Sequence, residues 1–158
     1  MTTTYSQSLT SVEIDSDISK KSRKKTSSTL KKEATPIYFD IKDLDVYPKP
    51  KRAKCKKKWD KERQLRCINN HIGDQFAKEF DSEIARKLRL RKGTHRIQVN
   101  FVIDEIGNIT KIKSFSRRKG LQAEGERIFK ELPRMLPGMY HGKTVKVNYN
   151  FEFAIRIN

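Results

Sequence analysis

The end of the chain constrains the fold most. Val145, Val147, Tyr149, Phe151, Phe153, Ile155 and Ile157 are seven consecutive odd-numbered positions, all apolar. Lys146, Asn148, Asn150, Glu152 and Arg156 stand between them, and only Ala154 interrupts the polar set. A period of two is the period of a β-strand, whose successive side chains point to opposite faces. A stripe this long requires a second layer to cover it, so the rest of the chain must supply that layer.

The upstream residues supply both helices and strands. Leu65, Ile68, Ile72, Phe76 and Phe80 recur at spacings of three and four, which predicts a helix starting at Asp60 with one buried face. A second helical stretch is expected over Asp81–Leu90, capped by Asp81 or Ser82, burying Ile84, Ala85 and Leu88 and ending at Gly93. Ile97, Val99, Phe101 and Ile103 then return to period two. The run 104–108, with Gly107, reads as a hairpin loop leading to a weaker strand over Ile109–Phe115. After a basic loop at 116–120, Leu121–Leu132 reads as a helix facing inward through Leu121, Ile128, Phe129 and Leu132. Pro133 stops it, and 135–138 turns the chain. The expected fold class is α+β: a small three-stranded antiparallel sheet with helices packed on one face, spanning residues 60–158.

The chain of 158 residues has room for one such domain and a tail. Residues 1–34 are rich in Ser, Thr and Lys, with a basic cluster over Lys20–Lys25, and are expected to be a disordered basic tail. Residues 35–59 read as an extended Pro- and Lys-rich linker, whose apolar spots at 36–39 and 44–47 would be pinned to the neighbouring domain. The 36 Lys and Arg residues against 19 Asp and Glu give a net charge of +17. It divides into +8 before Asp60 (15 minus 7) and +9 from there on (21 minus 12), so no single arm explains it. Such a charge favours anionic partners: nucleic acid, lipid headgroups or an acidic protein surface. No basic and then apolar signal pattern opens the sequence, and no stretch approaches the roughly 18 apolar residues of a membrane span.

The ordered set of segments carries a resemblance. Arg96–Asp104 followed by Gly107-Asn108-Ile109 is similar to the first hairpin of the TonB C-terminal domain family of energy transducers. Leu121–Leu132, then 133–138 and 142–147, resembles that family's second half, in its Bacteroidetes-type version. The resemblance covers residues 60–157. It implies a periplasmic or cell-envelope module for protein binding, associated with transmembrane transport, that adds a peptide strand to its sheet edge. The peptide would be the TonB box of an outer-membrane receptor. Carried onto this chain, the edge comprises Lys143, Val145, Lys146, Val147, Asn148, Tyr149, Asn150, Phe151, Glu152 and Phe153. An unpaired edge offers free N–H and C=O groups and is equally open to a second copy, so a homodimer by strand pairing is also implied. The family's motor is reached through an N-terminal transmembrane helix, which this sequence does not show, so motor coupling is not carried over. Where the family has Pro within the last strand this chain has Glu152, which restores a backbone donor.

Cys55 and Cys67 are the only cysteines. The resemblance implies that they pair as a disulfide. Read as residues alone, they also suit free thiols in the cytoplasm, or zinc with His71 one turn after Cys67. His95 and His141 read as solvated, and Asp104 and Glu105 as turn residues rather than catalytic carboxylates. No phosphate loop or nucleophile elbow is visible, so neither an enzyme nor a cofactor is expected. The competing function is nucleic-acid binding by the runs Lys20–Lys25 and Lys49–Lys58, the second flanked by Tyr47 and Trp59.

Overall fold

Strands β3 (Gly93–Ile103) and β7 (Lys143–Ile157) pair antiparallel in continuous register from Gly93↔Ile157 to Ile103↔Val147. That register sets Val99 opposite Phe151 and Phe101 opposite Tyr149, so both apolar sets fall on one face. Strand β4 (Ile109–Phe115) returns beside β3 through the 104–108 loop. Asp104 is the turn residue there: its carboxylate accepts the backbone N–H of Ile106 and of Asn108 at 3.1 and 2.8 Å. Gly107 has φ +92°, and a Cβ on it would lie 1.9 Å from the Met135 carbonyl oxygen, so only glycine lets this loop close on that segment. The computed structural model describes residues 36–158, and the tail expected over 1–34 lies outside the described residues.

The helices cover the apolar face. Helix α1 (Lys61–Glu79) starts where the Asp60 carboxylate accepts the Arg63 N–H at 2.8 Å, and it buries Ile68, Ile72 and Phe76. Helix α2 (Ser82–Lys87) is capped by Asp81 but ends earlier than its sequence suggests. Arg89 takes the left-handed conformation (φ 49°), and Gly93 opens β3 instead of closing the helix. Helix α3 (Lys119–Glu131) buries Leu121, Ile128 and Phe129; Leu132, held extended by the following proline, ends it. Phe129 packs on Phe101, Phe151 and Phe76 with ring centroids 4.9, 5.9 and 6.0 Å apart, and Phe76 lies 4.2 Å from Phe153.

The fold is α+β, but the sheet corrects the expectation of three antiparallel strands. The main sheet has five strands and one parallel pair, in the order β1-β7-β3-β4 with β6 also on β7. Strand β1 (Tyr38–Asp40) runs parallel to β7, and β6 (Gly138–Tyr140) pairs with the start of β7. A separate two-stranded ladder joins β2 (Lys49–Pro50) to β5 (Met135–Leu136), so part of the expected 135–138 turn is strand. Both additions involve the segment expected to be a linker, and that expectation is corrected too. Residues Ile37–Asn158 form one compact unit. Leu44 has no exposed surface, Pro48 is fully buried, and Tyr47 is buried. Val46 and Met139 exchange backbone hydrogen bonds of 3.2 and 2.9 Å. The segment is structural because a few apolar side chains at irregular spacing fill the core, which leaves no periodic signature.

One buried carboxylate ties α3 to the α1–α2 junction. Glu124 is 4 % exposed; it accepts two bonds from the Arg127 guanidinium, at 2.9 and 2.6 Å, and one from the Asp81 N–H at 3.1 Å. Arg127 also donates to the Glu79 carbonyl at 2.8 Å. The Arg127 hydrogen bonds hold the Glu124 carboxyl below its ordinary pKa against the opposing effect of burial.

Two outcomes follow from this packing. Leu44→Ala should lower stability in urea unfolding by about 3 kcal/mol, whereas a linker residue would leave the midpoint in place. Glu124→Ala should cost about 2 kcal/mol at neutral pH. Because the folded pKa is depressed, this contribution is complete above 4.5 and disappears as the pH falls through the lower folded value. Variant and parent should therefore converge in acid, and a pH-independent difference would show that charge is not the cause.

Candidate functional site: the open edge of the last strand

One edge of β7 is taken by β3 from Val147 to Ile157. On the opposite edge β1 takes Lys146–Asn148, whereas β6 pairs with Lys143–Val145 at the start of the strand. Among the described residues no strand pairs with that outer edge from Tyr149 to Ile157. The ten residues expected to form a peptide-binding edge therefore divide. Lys143 and Val145 face β6, while Lys146, Val147 and Asn148 lie beside Tyr38, Phe39 and Asp40 of β1. Tyr149, Asn150, Phe151, Glu152 and Phe153 lie on the open stretch, which continues to Ile157. The chain itself augments the first part of the edge, with a strand from the segment read as a linker.

Backbone parity identifies which groups are free. The Val102 carbonyl accepts from the Thr110 hydroxyl on β4, and the Arg96 carbonyl accepts from the Ser116 hydroxyl just beyond β4. Even-numbered residues of β3 thus turn their backbone polar groups toward β4, and odd-numbered ones turn them toward β7. Val99 pairs with Phe151 and Ile97 with Phe153, so odd-numbered residues of β7 bond back to β3. The outward N–H and C=O groups on the open stretch belong to Asn150, Glu152, Ala154 and Arg156. Their side chains are also the exposed ones, whereas Val147, Tyr149 and Phe151 are buried.

Both faces of the edge are well defined. On the helix side the Tyr149 hydroxyl donates to the Asn69 side-chain oxygen at 2.5 Å. Burial and the neighbouring Tyr47 raise its pKa, so it remains a neutral donor. On the other face Asn100, Asn148 and Asn150, with Asp40, Lys42 and Lys111, line a cleft of about 520 Å³ at the end of the open stretch near β1. Lys111 takes a left-handed conformation (φ 50°) beside a register shift between Asn100 and Val102. That bulge carries its ammonium over the Tyr38 ring, 4.7 Å from the centroid, where it also donates to the Tyr38 hydroxyl. Arg96 on β3 pairs with Glu152 at 2.6 Å, so the Glu152 side chain lies over the sheet while its backbone faces out. Tyr38, Asp40, Lys42 and Lys111 were not legible as site residues, because a three-residue strand and a bulge have no periodic signature.

The remaining candidates resolve individually. Cys55 and Cys67 form a disulfide with Cα atoms 5.8 Å apart, so neither is a free thiol or a zinc ligand. The His95 ring lies 2.8 Å from the Arg91 carbonyl. His141 sits in the β6–β7 turn with its backbone N–H bound to Asp45 at 2.6 Å. Tyr47 is 8 % exposed and offers no ring face to a base. The Trp59 ring carries the Arg63 guanidinium 4.4 Å from its centroid. Among the described residues no group of three His, Cys, Asp or Glu converges as a metal site, and no helix is long and apolar enough to cross a membrane.

A comparison with the models of known protein families gives no match, and a comparison with curated protein sequences gives none. The disulfide closes a loop across a sequence separation of 12. Replacing both cysteines with serine should lower stability by about 3 kcal/mol, measured in urea without reductant. A midpoint equal to that of the oxidised parent would mean that the bond is not formed in the folded protein.

Proposed function

We propose that this domain binds an extended peptide by adding it as a strand to β7 alongside Tyr149–Ile157. The observation that supports this most directly is the row of unpaired backbone groups on Asn150, Glu152, Ala154 and Arg156, beyond the part of the edge that β1 covers at Lys146–Asn148. Backbone pairing gives affinity with little dependence on peptide sequence, and the exposed even-numbered side chains supply selectivity. The resemblance to TonB C-terminal domains names the partner class: an extended segment of a TonB-dependent outer-membrane receptor, met in the periplasm. The disulfide fits that compartment, because disulfides persist in oxidising surroundings. Motor coupling is not part of this proposal. The same edge accepts a second copy of the chain, so peptide and self-association would compete for it.

Parity provides the test. Asn150→Pro removes an outward N–H that bonds to nothing inside the sheet, and proline is tolerated at such edge positions. It should weaken binding of a fluorescent receptor-segment peptide by at least about tenfold while leaving the thermal midpoint close to the parent. Unchanged affinity would remove the edge from the mechanism. The competing reading, nucleic-acid binding through the basic surface, requires binding to DNA or RNA that is tighter than to the peptide and falls steeply with salt.

A further inference from the structure

The basic loop between β2 and α1 is held in place far more firmly than its composition implies. Of the eight residues 51–58, six are Lys or Arg, and all six are exposed. The other two, Ala53 and Cys55, are 7 % and 5 % exposed and belong to the core. The backbone is anchored at several points. The Ala53 N–H donates to the Pro50 carbonyl at 2.9 Å, and the Lys49 ammonium donates to the Cys55 carbonyl at 3.1 Å. Gln64 on α1 donates to the Lys57 and Trp59 carbonyls at 3.1 and 2.6 Å, and the disulfide fastens Cys55 to α1. Every side chain that can be buried is buried, and every cation points out. Among the described residues none of Lys51, Arg52, Lys54, Lys56, Lys57 and Lys58 lies within ion-pair range of a carboxylate.

Holding six like charges together without counterions opposes folding by mutual repulsion, and a polyanion would relieve it. We propose that this disulfide-clamped loop is a docking surface for an anionic phospholipid bilayer, with Trp59 at the lipid–water boundary. Five of the six cations are lysines, compact point charges suited to a layer of headgroups rather than forks that read particular acceptors. Trp59 follows the run directly and is half-buried, which suits an amphipathic ring at an interface. Base stacking is poorly served, because Arg63 already covers the Trp59 ring and Tyr47 is buried. Since the loop is already ordered, binding loses little conformational freedom. This surface shares no residue with the β7 edge and stands whether or not the edge binds peptide.

Trp59 is the only tryptophan in the chain, so its fluorescence reports on this loop alone even in the full chain with its second basic cluster at Lys20–Lys25. Phosphatidylglycerol-rich vesicles should shift its emission to the blue and bind the protein with an affinity that falls steeply as salt is added. Pure phosphatidylcholine vesicles should do neither. Replacing Lys54, Lys56 and Lys57 together with serine should weaken binding roughly a hundredfold without moving the thermal midpoint. Replacing the exposed Arg91, Lys92 and Lys130 should leave binding close to that of the parent. An unshifted emission, equal losses in the two triple variants, or tighter binding to duplex DNA or RNA at the same salt would each overturn the proposal.

Discussion

The pairing of β3 with β7 is the constraint on which the other features rest. Its register places the aromatic residues of both strands on one face, and there Phe76 and Phe129 meet them to close the core. The same register decides which way each backbone group of β7 points. Core composition and edge chemistry are thus consequences of one alignment, and a slip of one residue would exchange the two faces and lose both.

The segment before α1 completes this frame. Leu44 and Pro48 fill space beneath β6 and β7 and meet Gly138 so closely that a Cβ there would come within 2.9 Å of Leu44 and 3.2 Å of Pro48. The short β1 then covers Lys146–Asn148 and sets the limit at which the open stretch begins. Loop 51–58 leaves this region already bolted to α1. A single stretch of about 25 residues, rich in Lys and poor in apolar side chains, therefore supports the core, bounds one candidate site and forms another.

Legibility in the sequence follows the length of each element. The strands at 97–103 and 145–157 and the helix face from Leu65 to Phe80 repeat often enough to be read directly, and the structure has them as strands and helix. Strands of two or three residues do not repeat at all, so β1, β2, β5 and β6 and the parallel pairing were invisible. Tyr47 shows the same limit for a single residue: beside a basic run it resembles a stacking platform, and only its tertiary setting removes it from the surface. For the candidate edge, the strand was legible and its partial occupation was not, because occupation depends on a contact between residues more than a hundred positions apart.

The parity of β7 also separates two kinds of evolutionary change. The odd-numbered residues carry the core and the bonds to β3, while the even-numbered ones carry both the exposed side chains and the outward backbone groups. Substitutions at Asn150, Glu152, Ala154 and Arg156 alter what the outer surface presents without creating a cavity or breaking the ladder. Recognition can therefore diversify here while the packed interior stays unchanged, a freedom that a strand buried on both faces does not have.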